Sequence, residues 1–221
     1  MDVVIAEFFN IEVMRRVMPL ILSGLVQTLL LCVVLIPIGL LGGFGAMLLA
    51  TSKRRAVRWP AMVLIDFFRS FPPLVLLIFI YSGLPFAGIK LTPWLAICVA
   101  FFLNSSSYYG EIYRAGVESV PRGQTEAARS TGLTAWQTML YVTMPQAVRN
   151  VLPDLLSNTV ELVKLTTLAS VISVPELLRS ADLARSLTYN TSPIILAAFI
   201  YLIFLWPAVR LIGRLEHKLG H

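Results

Sequence analysis

The amino-acid sequence predicts an all-α integral membrane protein, and three of its features lead to this fold class. Apolar side chains make up 57% of the 221 residues and charged ones only 14%, whereas a water-soluble domain carries about a quarter charged residues. Three long runs contain no charged residue or histidine, and each can hold the roughly 20 apolar residues of a membrane-spanning helix. The basic residues fall between these runs, which is typical of membrane proteins rather than nucleic-acid-binding proteins. The runs are residues 17–52, 91–110 and 186–209.

About five membrane-spanning helices account for this pattern, and we expect them to form a single transmembrane domain over residues 1–221. The first span is longer than a perpendicular helix needs, so we expect it to tilt or to kink at Pro37. A hairpin within it is rejected, because a turn at Gly42 and Gly43 would leave only seven residues before the basic loop. The predicted spans are residues 18–50, 59–82, 93–110, 151–173 and 193–209.

Lysine and arginine are unevenly divided between the two sides of the membrane. Three connecting or terminal segments carry four, four and three of them, and the two segments on the opposite side carry one and two. Because cytoplasmic loops are enriched in Lys and Arg, we expect the first set, with the C-terminus, in the cytoplasm and the N-terminus outside. Arg15 and Arg16 argue mildly against this orientation. The first set is residues 51–58, 111–150 and 210–221, and the second is 83–92 and 175–186.

A polar insert at residues 111–146 separates the third and fourth spans, and its pattern predicts two short capped helices. Pro121 suits the first turn of a helix, and Gly132 suits the left-handed position after a helix end. Thr134 begins a T-x-x-Q capping box that opens a second helix, and Pro145 stops or bends that helix.

Three interpretations of the insert are possible. It could be a solvated loop with some helical character. A DNA-reading helix-turn-helix is disfavoured, because a recognition helix held between two spans could not easily enter a major groove. The third interpretation is a docking element, in which the two alanines after Glu126 allow close approach to the backbone. Trp136, Met139 and Leu140 would then supply apolar anchors for a partner protein.

The spacing within the insert resembles the EAA signature of ATP-binding-cassette (ABC) importer permeases. Glu126-Ala127-Ala128, three residues, Gly132, nine residues and Val142-Thr143-Met144-Pro145 match E-A-A-x3-G-x9-I-x-L-P, with Val and Met in place of Ile and Leu. Other stretches resemble the polar amino-acid branch of that family (the His, Glu, Gln, Arg and opine permeases). They are SGLVQTL (23–29), FFRSFPPLVLLIFIYSGLP (67–85), YYGEIYRAGVESVPRGQ (108–124), MPQAVRNVLP (144–153) and VKLTTLAS (163–170).

This resemblance implies a type I ABC importer transmembrane domain in a bacterial inner membrane, whose insert is a coupling helix docked on a separate ATPase subunit. ATP and Mg²⁺ would bind to that partner. No cofactor would bind to this chain. Further implied partners are an extracytoplasmic solute-binding protein and a second permease chain, as a homodimer or a heterodimer. The residues expected to dock on the ATPase are Gly123, Glu126, Ala127, Ala128, Gly132, Leu133 and Pro145.

The sequence is consistent with an external energy source. It contains no G-x-x-x-x-G-K-[ST], the loop that cradles nucleotide phosphates. The stretch GLLGGFG (39–45) lacks the lysine and predicts close helix packing instead. We therefore expect a transport subunit rather than an enzyme, with no catalytic residue and no metal site.

Two spans carry opposite charges three residues apart, which places each pair on one helical face. Each pair is either a salt bridge that fixes helix rotation or part of a transport path. Both readings stay open for Asp66 and Arg69; a path role is favoured for Glu161 and Lys164, which lie mid-span and suit a zwitterionic solute. In the related permeases the stretch before Thr166 lines the path. The candidate path residues are Asp66, Arg69, Asn158, Thr159, Glu161, Lys164 and Thr166.

The predicted function is import of a polar amino acid or a similar small solute by alternating access, with the solute supplied by a binding protein. A proton-coupled secondary carrier, with Glu161 or Asp66 as the proton relay, is the first alternative. The lack of an inverted repeat argues against it. The second alternative is a membrane anchor that recruits a soluble partner, and charges inside the spans argue against that.

Overall fold

The predicted all-α fold is confirmed. The structure, a computed structural model, describes the backbone of residues 6–219 and the side chains of residues 6–215, and no strand occurs in this range. The side chain of Lys218, counted above in the basic tail, lies outside it. The α-helices are α1 (Ile11–Ala50), α2 (Arg55–Ser70), α3 (Pro73–Ile78), α4 (Pro93–Ser119), α5 (Arg122–Ser130), α6 (Ala135–Thr138), α7 (Met144–Asn150), α8 (Leu152–Leu165), α9 (Leu177–Thr188) and α10 (Ser192–Leu219).

Four tighter or wider helical turns connect these helices. Two are 3-10 helices, in which each amide bonds three residues back, and two are π-helical turns, in which it bonds five residues back. The 3-10 helices are Leu84–Ala87 and Thr166–Ile172, and the π turns are Phe79–Gly83 and Met139–Thr143.

Length and composition alone identify fewer membrane-spanning helices than the five predicted. Within the described residues, three helical stretches are long and apolar enough to cross a membrane, namely 6–50, 152–172 and 192–215. A broken helix pair, Arg55–Ser70 followed by Pro73–Ala87, would make a fourth span if it counts as one. The predicted third span lies within α4, which extends well past residue 110 with polar residues. The five-span arrangement in one domain therefore stays a prediction.

The packing divides the chain into two compact units, which we describe separately. Of the described residues, the insert unit comprises 37–72, 101–159 and 212–219. The α9 unit comprises 6–36, 73–100 and 160–211. Helix α1 runs through Pro37 without a break in its helical structure.

In the insert unit, small residues bring α1 and α4 into close contact. A Cβ atom at Gly43 would lie 2.9 Å from the amide nitrogen of Gly110, and one at Gly110 would lie 2.9 Å from the Cβ of Ala46. No larger side chain fits without moving the backbone. This confirms that the glycine-rich stretch in the first span serves close helix packing.

Helix α2 ends because Pro72 and Pro73 follow it. Neither proline has an N–H, so the carbonyls of Phe68 and Arg69, four residues earlier, lose their helical donors. Side chains of α4 replace them: Asn104 Nδ2 donates to the Phe68 carbonyl over 3.1 Å, and the Tyr108 hydroxyl donates to the Arg69 carbonyl over 3.1 Å. Both carbonyls exposed by the break in the second predicted span, those of Phe68 and Arg69, therefore accept a hydrogen bond.

The α9 unit has a small apolar core between the start of α1, α9 and α10. Residues 175–186 were predicted as a loop, and that prediction is wrong for most of its length. Helix α9 forms because Glu176 caps its N-terminus and because its small residues allow close packing. The core consists of Val17, Ile21, Leu177, Ala181, Ala184 and Ala197.

Candidate functional site

The polar insert begins later than predicted, because residues 111–119 continue helix α4. An ionic ladder stabilises this extension: Arg114 bonds Glu111 at i−3 and Glu118 at i+4, both over 2.5 Å. The hydrogen bond from Arg114 holds the pKa of the Glu111 carboxyl below its usual value, although partial burial opposes this. The same bond raises the pKa of Arg114. The insert proper therefore starts near Val120.

The two capped helices of the insert are confirmed. Pro121 is the N-cap of α5, one position before its first helical residue. Gly132 has φ of 89°, the left-handed conformation that residues with a Cβ adopt only with strain. Thr134 and Gln137 form both hydrogen bonds of the capping box, of 2.8 and 3.3 Å.

Pro145 does not end the helix. Just before it, the backbone hydrogen bonds change from four-residue to five-residue spacing. Pro145 lies in the first turn of α7, and the π turn Met139–Thr143 precedes it. The amide of Met144 bonds the carbonyl of Met139, five residues back. A wide turn of this kind accommodates the missing proline donor while the chain stays helical.

The insert is anchored to the end of α4 through its C-terminal part. A Cβ atom at Gly116 would lie 2.8 Å from the carbonyl oxygen of Ala147, so α7 touches the backbone of α4. Asn150 Nδ2 donates to Ser119 Oγ over 2.8 Å. These contacts hold the base of the insert, while α5 remains largely exposed.

One face of α5 is exposed. Gly123, Glu126, Ala127 and Ser130 are all exposed and recur at helical spacing. Ala128 was expected beside Ala127 on this face, but it is 92% buried and packs inward. Of the other expected docking residues, Leu133 is half-buried, and Gly132 and Pro145 are exposed.

The Asp66–Arg69 ion pair does not form. Asp66 is exposed and makes no ion pair with any described residue. The Arg69 guanidinium lies 3.7 Å from Glu111 Oε1 and 5.6 Å from the centre of the Tyr108 ring. Arg69 therefore contacts charged and aromatic groups on α4 and not the carboxylate of Asp66 on its own helix.

The Glu161–Lys164 ion pair does form, and both side chains lie on the surface of the chain. Lys164 Nζ bonds Glu161 Oε1, and the two side chains are 46% and 61% exposed, respectively. A charge exposed at mid-span costs about 2.5–3.5 kcal/mol on insertion scales unless it faces water or protein. The pair is therefore a candidate path feature whose two charges are both accessible, as is the exposed Asp66.

The hydroxyl groups among the candidate path residues are used within the chain. Thr159 Oγ1 donates to the Leu155 carbonyl and contacts the Tyr109 hydroxyl, each over 2.7 Å. Thr166 is fully buried, and its hydroxyl donates to the Val163 carbonyl over 2.6 Å. Asn158 is half-buried.

A buried carboxylate that the sequence did not single out lies at the start of α9. Glu176 is 0% exposed; its two oxygens accept from the amides of Leu178 and Arg179 over 2.8 and 2.6 Å. Oε2 also accepts from the Tyr201 hydroxyl over 3.1 Å. Burial raises the pKa of Glu176, and these hydrogen bonds counteract the rise in part. Glutamate is not a favoured N-cap residue, so V-P-E-L-L carries little local signal.

Comparison with known proteins identifies the family. Residues 36–221 match the family described as binding-protein-dependent transport system inner membrane component. The chain is 38% identical to the probable amino-acid ABC transporter permease protein YckA of Bacillus subtilis, over 96% of this chain and 95% of that protein. It is 34% identical to the arginine transport system permease protein ArtQ of Bacillus subtilis, over 91% and 93%.

Solved structures agree with this assignment. A crystal structure of an amino acid ABC transporter with histidines is 37% identical, with a TM-score of 0.83 over 93% of this chain and 96% of that one. The methionine ABC transporter MetNI, at 18% identity, shares the fold with a TM-score of 0.75 over 92% and 98%. The chain therefore belongs to the family of binding-protein-dependent transport system inner membrane components, as a multi-pass membrane permease subunit of an ABC importer in which a separate subunit hydrolyses ATP.

Proposed function

We propose that this permease imports a polar amino acid received from an extracytoplasmic binding protein, and that α5 transmits the motion of the ATPase subunit. The observation that carries the proposal is the exposed face of α5, where small residues surround the single acid Glu126. A rigid helix with such a face fits a groove on another protein, and the contacts of α7 with α4 would pass its displacement to the spans.

Permease relatives support the amino-acid substrate. One is named a glutamate/aspartate import permease protein, at 32% identity over 91% of this chain, and ArtQ is named for arginine. These solutes share a zwitterionic backbone and differ in side-chain charge. The exposed Glu161–Lys164 pair offers one charge of each sign. These charges match the ammonium and carboxylate groups that all amino acids share, and not the side chains, which differ.

The docking role predicts that Glu126→Lys prevents binding of the ATPase subunit. The change reverses the only negative charge of α5, and we expect a loss of about tenfold or more in affinity, as for central interface residues. Co-purification of the ATPase and binding-protein-dependent uptake in vesicles measure it. Gln124→Lys is the matched control, since it also adds a positive charge to α5 but lies about 100° around the helix from Gly123. Equal effects of both changes would contradict the docking role of this face.

We further propose that α5 lies in the cytoplasm and α9 outside, as the Lys and Arg counts indicate. Ser130→Cys on α5 and Ser186→Cys on α9 test this, because both positions are exposed. In a chain whose own Cys32 and Cys98 are replaced by serine, an impermeant maleimide should label residue 186 in intact cells. It should label residue 130 only after lysis. The opposite labelling pattern would show that α5 lies outside and α9 in the cytoplasm.

A dimer of two permease chains, each docked to an ATPase subunit, completes the proposal. The proton-coupled carrier makes a different prediction, namely that vesicles accumulate solute on a proton gradient without ATP. We expect no accumulation under those conditions, and full accumulation once ATP, the ATPase subunit and the binding protein are present.

A further inference from the structure

A surface cavity in the insert unit has no part in the transport role described above. It lies where the end of α1, the start of α2 and the last turns of α4 meet, and its volume is about 390 Å³. Cavities of roughly 300–1,000 Å³ are the usual size for small-molecule sites. Its walls combine charged and apolar side chains, among them Arg58, Trp59, Met62, Arg114 and Glu118.

One of the two arginines that line this cavity has no ion-pair partner among the described residues. Arg114 is neutralised by its 2.5 Å bonds to Glu111 and Glu118. Arg58 is half-buried, and no carboxylate of the described residues lies within ion-pair distance of it. A partly buried guanidinium without a counter-ion is unfavourable. Arg58 would therefore stabilise an anion that binds in the cavity.

The local backbone adds to the positive potential. Arg58 lies in the first turn of α2, where the helix dipole is positive and an acidic residue would be stabilising. That turn has no acidic residue, and the N-cap residue, Arg54, makes no side-chain capping hydrogen bond. Lys53 and Arg55 are exposed beside it. An anion at this position would pair with the guanidinium and would be favoured by the positive end of the helix dipole.

The apolar wall distinguishes a lipid from a soluble anion. Trp59 is 63% exposed and Met62 is 38% exposed, and along the same helix Val63 and Phe67 are 60% and 53% exposed. Tryptophan is enriched at the membrane interface, and basic pockets between membrane helices bind anionic headgroups. We propose that this cavity binds the phosphate of an anionic phospholipid on Arg58, with its glycerol and acyl chains against Trp59 and Met62.

Native mass spectrometry of the importer, purified as the complex with its ATPase subunit, tests the site. Phosphatidylglycerol and phosphatidylcholine are added as separate probes, and bound lipid per complex is counted. We expect selective retention of phosphatidylglycerol and a loss of about fivefold in its affinity for Arg58→Ala, the usual contribution of one basic residue. Arg58→Lys should keep most of the affinity. Arg55→Ala, in the same turn but outside the cavity lining, should lose less than Arg58→Ala.

Four results would overturn the proposal. Equal retention of phosphatidylcholine would show that the cavity does not select for charge. Complete displacement by inorganic phosphate would identify a soluble-anion site. Unchanged phosphatidylglycerol binding by a monodisperse Arg58→Ala complex would remove Arg58 from the site. Cross-linking of Trp59→Cys to the ATPase subunit in every complex would show that a protein, not a lipid, fills the cavity.

Discussion

Two carboxylates in the α9 unit occupy opposite environments, although both come from the same stretch of about fifteen residues. Glu161 lies on α8 within a predicted span, yet its side chain is 61% exposed and bonds only Lys164. Glu176 lies in a predicted loop outside the spans, yet it is fully buried and hydrogen-bonded to two amides and a tyrosine.

The difference shows that a predicted position in a span or in a loop does not decide burial within the protein. Glu161 has its charge balanced one turn away and needs nothing from other helices, so it remains available to a solute. Glu176 is desolvated, so it requires fixed donors, and its donors tie α9 to α10. Thr28 of α1 adds a third element, because its Oγ1 accepts from the amide of Leu177 over 3.0 Å. The contacts of Glu176 hold α9 in place, whereas a part for Glu161 in transport belongs to the function proposed above.

The largest effect expected from this contrast is on stability. Glu176→Ala would leave two cap amides and the Tyr201 hydroxyl without their acceptor, and we expect a loss of about 2–4 kcal/mol in the free energy of unfolding. Glu161→Ala removes only an exposed ion pair and should cost less than about 1 kcal/mol. Thermal unfolding of the purified chains in detergent measures both. Similar small losses for the two variants would mean that the cap at α9 is not a structural joint.

A smaller effect, of defined sign, is expected from pH. Burial raises the pKa of Glu176, so its protonated form is favoured on folding. Its stabilising contribution is complete below the unfolded pKa of about 4.3 and is lost as pH rises through the higher folded pKa. Glu176→Gln stays neutral, so its stability relative to wild type should increase between about pH 4 and pH 7. Both chains share the opposite contribution of Glu111, which therefore cancels in the difference. If the difference in stability between Glu176→Gln and wild type stayed constant across this range, a raised pKa of Glu176 in the folded state would be contradicted.

Local rules in the sequence predicted what depends on neighbouring residues. The left-handed Gly132 and the capping box at Thr134 both follow from the chemistry of a few adjacent positions. The burial of Glu176 depends on Thr28 and Tyr201, which are 148 and 25 positions away by residue number, and no local pattern encodes such distances.

Arg69 shows the same limit at the candidate path. Its nearest opposite charge in the sequence is Asp66, and helical spacing places the two on one face. The structure pairs Arg69 with Glu111 instead, because the side chains of Asn104 and Tyr108 bind the last turn of α2 to α4. A sequence pattern finds partners within one helix, whereas the choice between helices is made by tertiary packing.

A still smaller effect on stability is expected for Tyr201→Phe. It removes one donor to the Glu176 carboxylate and leaves both amide donors in place, so we expect a loss of about 1 kcal/mol, typical of a single hydrogen bond. Tyr189→Phe is the control, since Tyr189 is 92% exposed. In a Glu176→Gln background the loss should shrink, because the acceptor is no longer charged. Equal losses in both backgrounds would show that the hydroxyl acts through packing alone.

The smallest effect on stability, and the sharpest test of the contrast, is expected for Glu161→Gln. The exposed ion pair contributes within about 0.5 kcal/mol, so the unfolding midpoint should not move. Uptake should nevertheless fall about tenfold, because a zwitterionic solute would lose the negative member of the pair that balances its ammonium group. Glu12→Gln, at another exposed acid, should leave uptake unchanged, and ATPase co-purification should be normal in both variants. Normal uptake by Glu161→Gln would make the pair a structural feature of α8, and the separation of transport from structure between the two carboxylates would fail.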